Sequence, residues 1–415
     1  MTLPAPAARS TAQRVRGTAQ GVRGAAQGVR GTTQGRTPSW RLVWMLPAGL
    51  ALLAGLDAGL LLLGLPAPID GSRLPRVHGM LLVLGFVATL ISLERATALR
   101  RWYGFSAPAL LGAGGVLIAV SAVPLVVGQS VLIAGAAAFT LIYIPLWQRQ
   151  YDAALLTQML AAGLATVGAI IWLGHDGMDR VLPWLIGFIV LTIAAERVEL
   201  ARITLGPTAG PRLLMRAWAM TAALLLGLVL PDLGAIALGL TLLSLAGWLI
   251  VHDVARKTVR AQGVTRFMAA CILAGYVWLV VAAIILLFGS ASDQRSYDAV
   301  VHAVFLGYTF SMIMAHATTI LPAVLGIRLP YRAAFWVPAV VLQIALIIRL
   351  WVGDGFALAW GWQLGGFMGV VALLLFVATA LVCAIIEARS PSRTSSLDKA
   401  LSGKGAGAAP HKETA

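Results

Sequence analysis

Apolar stretches of similar length alternate with short polar segments along most of the chain. Each stretch approaches the roughly 20 residues that a helix needs to cross the hydrocarbon core of a bilayer. Twelve such stretches can be delimited, and together they predict an all-α polytopic membrane protein. The predicted spans are 42–65, 74–98, 106–127, 129–147, 153–174, 181–203, 212–230, 232–252, 265–289, 297–324, 333–352 and 359–387.

The two ends of the chain lack this apolar pattern. Residues 1–40 contain a seven-residue repeat that is rich in Gly, Gln and Arg and has no apolar face, and residues 391–415 are similarly polar. Segments of such composition cannot bury enough apolar surface to fold. We therefore predict a disordered basic cytoplasmic arm over 1–40, a twelve-helix transmembrane domain over 41–390 and a disordered cytoplasmic tail over 391–415.

Composition and charge place this domain in a membrane. Hydrophobic residues make up 59% of the chain and charged residues 11%, which excludes an ordinary soluble domain. If the N-terminus is cytoplasmic, every Lys and Arg falls on the inner side except Arg73, Arg76, Arg180, Arg295 and Arg349, as the positive-inside rule expects. The net charge of +15 therefore indicates attraction to anionic membrane lipid, not binding to nucleic acid. We predict a multi-pass protein of a bacterial-type inner (plasma) membrane, with both termini cytoplasmic.

Three of the predicted spans share a sequence register. The second contains "GFVATLISLER", the sixth "GFIVLTIAAER" and the tenth "GYTFSMIMAHA". In each, the aromatic residue after Gly precedes a polar residue by eight positions, and the polar residues are Glu94, Glu196 and His316. Because the three spans are four helices apart, we predict three four-helix units in a pseudo-three-fold bundle, with these spans at its centre.

Two histidines lie at matching depths near the outer ends of the second and tenth spans, about 6–8 Å below the interface. His78 precedes Glu94 by 16 residues, whereas His302 precedes His316 by 14. This difference turns one ring relative to the other by about 200°, as a ligand shared between two neighbouring helices requires. Two neutral imidazoles in a dry pocket can ligate haem from opposite sides. The alternative is a pair of interface histidines bonded to the main chain or to lipid headgroups.

The residues around this histidine pair extend the haem hypothesis. Arg73 and Arg76 lie just outside His78 and are placed to neutralise haem propionates, although they suit the role of interface anchors equally well. The chain has no C-x-x-C-H motif, and its cysteines, Cys271 and Cys383, both fall within predicted spans. A covalently attached c-type haem is therefore excluded, and haem b is the expected form.

A second polar level is predicted at the inner ends of the same spans. His316 lies about 21 Å deeper than His302, near the level of the pairs Glu94-Arg95 and Glu196-Arg197. The arginines suit snorkelling helix termini, while the whole group also suits a proton relay, an anion site or a metal site with His316 as a ligand.

Two further polar residues lie within predicted spans. Asp57 is in the middle of the first span, and Tyr308 belongs to the register shared by the three spans. A carboxylate in the middle of a membrane span, such as that of Asp57, requires a partner: a helix N-terminus, an arginine or a bound ligand. Asp57 is therefore a candidate without an assigned role.

The segments "HGMLLVLGF" and "HAVFLGYTF" resemble the His-rich helices of the NnrS family, whose members are membrane proteins that bind haem and copper and are linked to nitric oxide stress. The twelve spans with histidines in the second and tenth also resemble subunit I of the haem–copper oxidases. The resemblance implies a redox or nitric-oxide/oxygen-related haem protein, leaves copper open, and implies an electron-donor protein or a quinol as partner.

The resemblance has limits that keep a second function open. The sixth and seventh spans contain no histidine, so a complete binuclear haem–copper centre, and with it an oxidoreductase activity of that type, is not expected. The alternative is a proton-coupled small-molecule transporter that uses the intramembrane residues Asp57, Glu94, Glu196 and His316. A visible spectrum of the purified protein separates the two functions.

Overall fold

A computed structural model describes residues 43–389 except 176, 289–292 and 328. The segments 1–40 and 391–415, which the sequence predicts to be disordered, lie outside the described residues. Among the described residues the regular structure is entirely helical. The long helices, numbered in chain order, are α1 Met45–Leu62, α2 Leu74–Leu99, α3 Trp102–Ala119, α4 Leu125–Gln150, α5 Ala153–Gly174, α6 Leu182–Leu200, α7 Ala209–Val229, α8 Pro231–His252, α9 Gly263–Phe288, α10 Gln294–Pro322, α11 Ala333–Gly355 and α12 Ala359–Arg389.

Eleven of the helices in the described part of the chain are long and apolar enough to cross a membrane. The other long helix, α6, has 19 residues but carries Glu196, Arg197 and Glu199 near its end. Side chains that point away from the bundle are largely apolar, as Leu46, Leu141 and Leu240 illustrate. An apolar outer surface of this extent is what contact with lipid requires. The predicted all-α architecture is therefore confirmed, and eleven of the described helices have the length and composition of membrane spans.

Three helices form the centre of the bundle. Fifteen of the 19 residues of α6 are buried. In α2 and α10, 67% and 72% of an 18-residue apolar stretch is buried. The helix α10 contacts both α2 and α6, and Phe86 of α2 stacks on Phe310 of α10 with ring centroids 6.1 Å apart. Ion pairs join α2 to α6. The three helices that share the sequence register are therefore mutually adjacent.

The helix contacts repeat with a period of four helices. In each consecutive set of four, the first helix contacts the second and the third, the second contacts the third, and the third contacts the fourth. The fourth helix of one set contacts the first helix of the next set, and α12 contacts α1. The central helices α2, α6 and α10 occupy the second position of their sets.

Close backbone contact at a glycine pair fixes the crossing of α2 and α3. A Cβ atom built on Gly115 would lie 2.8 Å from the Cα atom of Gly85, and one built on Gly85 would lie 3.1 Å from the Cα atom of Gly115. Backbone atoms cannot move aside as a flexible side chain can. Small residues at such crossings allow membrane helices to pack closely.

We expect Gly115→Val to destabilise the protein by about 1–3 kcal/mol, because the added side chain forces α2 and α3 apart. The measurement is the free energy of unfolding in mixed detergent micelles. Gly163→Val is the matched control, since nothing lies within 4 Å of a Cβ atom built on Gly163. Equal destabilisation by the two variants would show that the Gly85–Gly115 contact does not determine the packing.

Candidate functional site

The ring of His78 is held against α1. Its Nδ1 atom lies 2.7 Å from the main-chain carbonyl oxygen of Gly55. Because a carbonyl oxygen only accepts hydrogen bonds, Nδ1 carries the proton and donates it. Gly59 provides the space for the ring, since a Cβ atom there would lie 3.2 Å from Cε1 of His78. The neutral ring therefore has its lone pair on Nε2.

His302 on α10 is held in the same way. Its Nδ1 atom lies 2.8 Å from the main-chain oxygen of Asp298 and 3.4 Å from Oδ2 of the same residue. Among the described residues, no hydrogen bond reaches Nε2 of His78 or of His302. His302 is within electrostatic range of His78. The two predicted ligands thus lie within electrostatic range of each other near the starts of α2 and α10, each with an Nε2 atom that makes no hydrogen bond among the described residues.

An ion pair supports His302 from α11. Arg349 donates from Nε to Oδ2 of Asp298 at 3.0 Å and from Nη2 to Oδ1 at 2.8 Å. The guanidinium carbon of Arg349 lies 4.9 Å from the ring centroid of Trp362, in a cation–π arrangement. Asp354 lies near both members of the pair. We call His78, His302, Asp298 and Arg349 the histidine cluster.

Backbone geometry also marks the histidine cluster. Among the described residues π-helical segments occur at Leu81–Ala88, His302–Phe310 and Ile348–Gly355. The first follows His78 by one turn, the second begins at His302, and the third contains Arg349. Wide turns of this kind occur preferentially at functional sites.

The other residues predicted near the outer ends of the helices have different partners. Arg73 donates to the main-chain oxygens of Val120 and Val123, at 2.8 and 2.6 Å, and thereby ties the start of α2 to the end of α3. Arg76 is exposed. Oδ1 of Asp57 accepts from the main-chain nitrogen of Ile69 at 3.0 Å, while the buried Oδ2 atom has no hydrogen-bond partner among the described residues. Asp57 therefore supports the segment between α1 and α2.

At the opposite end of the central helices, three carboxylates surround one guanidinium group. Arg95 of α2 lies 3.1 Å from Glu199, 3.5 Å from Glu196 and 3.8 Å from Glu94. Gln158 of α5 donates to Glu199 at 3.3 Å. We call the four charged residues Glu94, Arg95, Glu196 and Glu199 the carboxylate cluster.

A second network lies next to the carboxylate cluster. Arg197 of α6 donates from Nε and Nη2 to the two carboxylate oxygens of Asp253, at 3.0 and 2.8 Å. Tyr276 donates to Asp253 at 2.6 Å, and the main-chain nitrogen of Ala255 donates to it at 2.8 Å. Burial by itself would raise the pKa of Asp253, but the hydrogen bonds from Arg197 outweigh burial and hold that pKa below its ordinary value.

His316 belongs to this second network. Its Nδ1 atom lies 2.8 Å from the main-chain oxygen of Met312, and its Nε2 atom lies 3.1 Å from Nη1 of Arg197. Both ring nitrogens are therefore used, and neither lone pair is left for a metal ion. Tyr308 is buried, stacks on Tyr276 with centroids 6.5 Å apart, and has no described partner for its hydroxyl group. In the described part of the chain, no group of three or more His, Cys, Asp or Glu side chains has metal-binding geometry.

The sequence interpretation missed several residues that complete these networks. It placed Arg349 at the outer boundary and assigned no role to Asp298 or Asp253. The signals were present: Asp298 stands one helical turn before His302, and Arg349 interrupts an apolar span. An arginine in such a position requires a partner. The buried Tyr143, Gln158 and Tyr276 gave no comparable signal.

The fold and the buried polar clusters define a helical multi-pass membrane protein with polar sites inside the bundle. The chain belongs to the family described as a domain of unknown function (DUF8744), whose model matches residues 41–385. Comparisons with curated proteins and with solved structures give no match.

Proposed function

We propose that this protein is a haem-binding integral membrane protein in which His78 and His302 are the two axial ligands. The observation that carries the proposal is the state of the two rings. Each imidazole donates from Nδ1 to a main-chain oxygen and keeps Nε2 unused. Histidines that ligate metals almost always donate their other ring N–H in this way, because that bond fixes the tautomer and the ring orientation.

Comparison with other histidines shows why this pair is selected. His252 also has Nδ1 at 2.8 Å from a main-chain oxygen, that of Trp248, but it is exposed at the end of α8. His316 has both nitrogens engaged. Only a pair of half-buried rings on adjacent helices offers two ligands to one planar group, and His78 and His302 form such a pair.

The residues around the pair fit a haem group chemically. Gly59 makes room for the His78 ring, since a Cβ atom there would lie 3.2 Å from its Cε1 atom, and Gly79 lets the side chain of Met178 approach the same turn of α2. Asp298 holds the Nδ1 proton of His302, and the Asp298–Arg349 ion pair keeps that acceptor in place. Arg349 also brings a positive charge to the site, a role that the sequence interpretation gave to Arg73 and Arg76. A bound haem would supply one-electron redox chemistry or gas binding.

The wider proposal follows the resemblance to the NnrS family and to haem–copper oxidase subunit I. The helix contacts repeat every four helices, which supports three four-helix units related by pseudo-three-fold symmetry, with α2, α6 and α10 at the centre. We propose a location in a bacterial-type inner membrane with cytoplasmic termini, a redox or nitric-oxide/oxygen-related role, and electrons from a donor protein or a quinol. The proposal leaves open whether the protein also binds copper, and it does not favour His316 as a copper ligand.

The proton-coupled transporter is the second candidate function. The specific observation in its favour is the carboxylate cluster, because three carboxylates on two central helices can exchange protons near one end of the bundle. A haem spectrum of the purified protein distinguishes the candidates, since the transporter requires no pigment.

We expect the purified protein, produced with haem available, to show the Soret and α bands of low-spin bis-histidine haem. His78→Gly and His302→Gly should each abolish these bands, because each removes one axial ligand. His252→Gly should leave them unchanged, since its ring has the same Nδ1 bond but lies outside the cluster. External imidazole should restore the bands in the glycine variants. A colourless protein, or bands that survive both substitutions, would contradict the proposal.

A further inference from the structure

The carboxylate cluster has more negative than positive charge. Glu94, Glu196 and Glu199 surround Arg95 alone, so three carboxylates against one guanidinium leave an excess of two negative charges. Excess charge of one sign is costly in a region that is partly shielded from water. Carboxylates that share a site rarely all ionise, because each disfavours ionisation of the others.

Other cations on the facing helices are already engaged. Arg197 on α6 is bonded through two nitrogens to Asp253. Arg149 on α4 donates to a main-chain oxygen at the end of α2, at 2.8 Å. Arg202, just after α6, pairs with Asp152 at 3.1 Å. The described residues around the cluster therefore do not supply the missing positive charge.

Unpartnered polar atoms face the same group of residues. The hydroxyl of Tyr143 on α4, Oε1 of Gln158 on α5 and Nε of Arg95 are buried without a hydrogen-bond partner among the described residues. The side chains of Tyr143 and Gln158 are fully buried. The Tyr143 hydroxyl lies within electrostatic range of Arg95 and of all three carboxylates. Two donors and one acceptor left unpaired in a buried polar region indicate bound water or an ion.

The cluster also has a route to solvent. Exposure of the side chains falls from 36% at Glu199 to 27% at Glu94, 16% at Glu196 and 8% at Arg95. The carboxylates thus lead from the surface of one end of the bundle to the buried Tyr143 and Gln158. A ligand that enters here passes acceptor oxygens first.

We propose that the carboxylate cluster is a proton-binding site that holds one shared proton near neutral pH, with water bridging Tyr143, Gln158 and Arg95. Binding forms a single O–H bond on a carboxylate oxygen and releases nothing, so no oxidant or co-reactant is needed. The excess of negative charge excludes an anion as the ligand. The absence of metal-binding geometry among the described acidic and histidine side chains argues against a divalent cation. The proposal does not depend on haem.

The test is infrared difference spectroscopy of the full-length protein in lipid nanodiscs, titrated through neutral pH in H2O and D2O. A protonated carboxyl group gives a carbonyl band that shifts on deuteration and disappears as the group ionises. Glu196→Gln should reduce this band on the order of twofold or more, because it removes one of the repelling carboxylates. Glu387→Gln is the matched control, since this half-buried glutamate on α12 makes no ion pair in the described part of the chain.

Tyr143→Phe provides a second variant that removes only one hydroxyl group and keeps the ring packing. It should shift the frequency of the band or the pH at which the band disappears, since that hydroxyl contacts the proposed water. A band that is absent from the wild type near neutral pH would overturn the proposal, as would equal band loss in Glu196→Gln and Glu387→Gln. Loss of the band on adding NaCl in place of KCl at constant pH would show a sodium site and would also overturn it.

Discussion

Replacing Asp253 with alanine should lower the free energy of unfolding by about 3–5 kcal/mol, the cost of leaving one member of a buried ion pair without its partner. The side chains of Asp253 and Arg197 are 2% and 7% exposed. Without the carboxylate, Arg197 keeps its charge inside the protein and retains its contact with the His316 ring, while Tyr276 loses the acceptor of its hydroxyl group. Unfolding in mixed detergent micelles measures the effect.

An exposed ion pair supplies the matched control for this variant. Arg202→Ala removes the pair with Asp152, in which the arginine side chain is 66% exposed, and it should cost only about 0–1 kcal/mol. Equal losses for Asp253→Ala and Arg202→Ala would refute the argument from burial.

The contribution of Asp253 to the free energy of unfolding should decrease at low pH. The pKa of Asp253 is lower in the folded protein than its ordinary value of 3.8. A group with a depressed folded pKa stabilises the protein above its unfolded pKa and loses that contribution as the pH falls through the folded pKa. The difference between wild type and Asp253→Ala should therefore be constant at neutral pH and should shrink only below about pH 3.8.

The helices could be predicted from sequence because the signal is local. A membrane-spanning segment must be apolar along its own length, so hydropathy located α1 at 42–65 where the helix is Met45–Leu62. The predicted span at 181–203 likewise contains a helix, α6, but its charged residues keep it outside the composition of a membrane span. That helix is buried among its neighbours and therefore tolerates three charged residues near one end.

The polar partners could not be predicted, because they depend on packing between distant segments. Arg349 bonds to Asp298, which is 51 residues away, and Arg197 bonds to His316, which is 119 residues away. Arg73 looked like a propionate partner because it is near His78 in sequence, yet it bonds to the main chain 47 and 50 residues further on. Sequence proximity does not determine where a long side chain finds an acceptor.

The repeated Glu-Arg pair shows a related limit. The pairs Glu94-Arg95 and Glu196-Arg197 occupy equivalent positions in the sequences of α2 and α6, and ion pairs join these two helices. Their arginines nevertheless bind different partners: Arg95 contacts glutamates of both helices, whereas Arg197 pairs with Asp253. A shared sequence register therefore indicates which helices lie side by side, but the partners of their side chains depend on the surrounding helices.

At the other end of the bundle, Arg349→Met should also cost about 3–5 kcal/mol in the free energy of unfolding. The arginine side chain is 6% exposed, its partner Asp298 is 17% exposed, and Asp354 lies close by, so the substitution leaves Asp298 without its bonded arginine and beside a second carboxylate. The double variant Arg349→Met/Asp298→Asn should recover part of this loss, because it removes the stranded charge, and the cycle of variants measures the coupling between the two residues. Arg260→Met is the control, since Arg260 is exposed between α8 and α9 and its replacement should change stability by no more than about 0.5 kcal/mol. The measurements are made without added haem, so they test the ion pair and not the proposed cofactor. If Arg349→Met is as mild as Arg260→Met, or if the double variant is no more stable than the single one, the Asp298–Arg349 pair does not hold α10 and α11 together around His302.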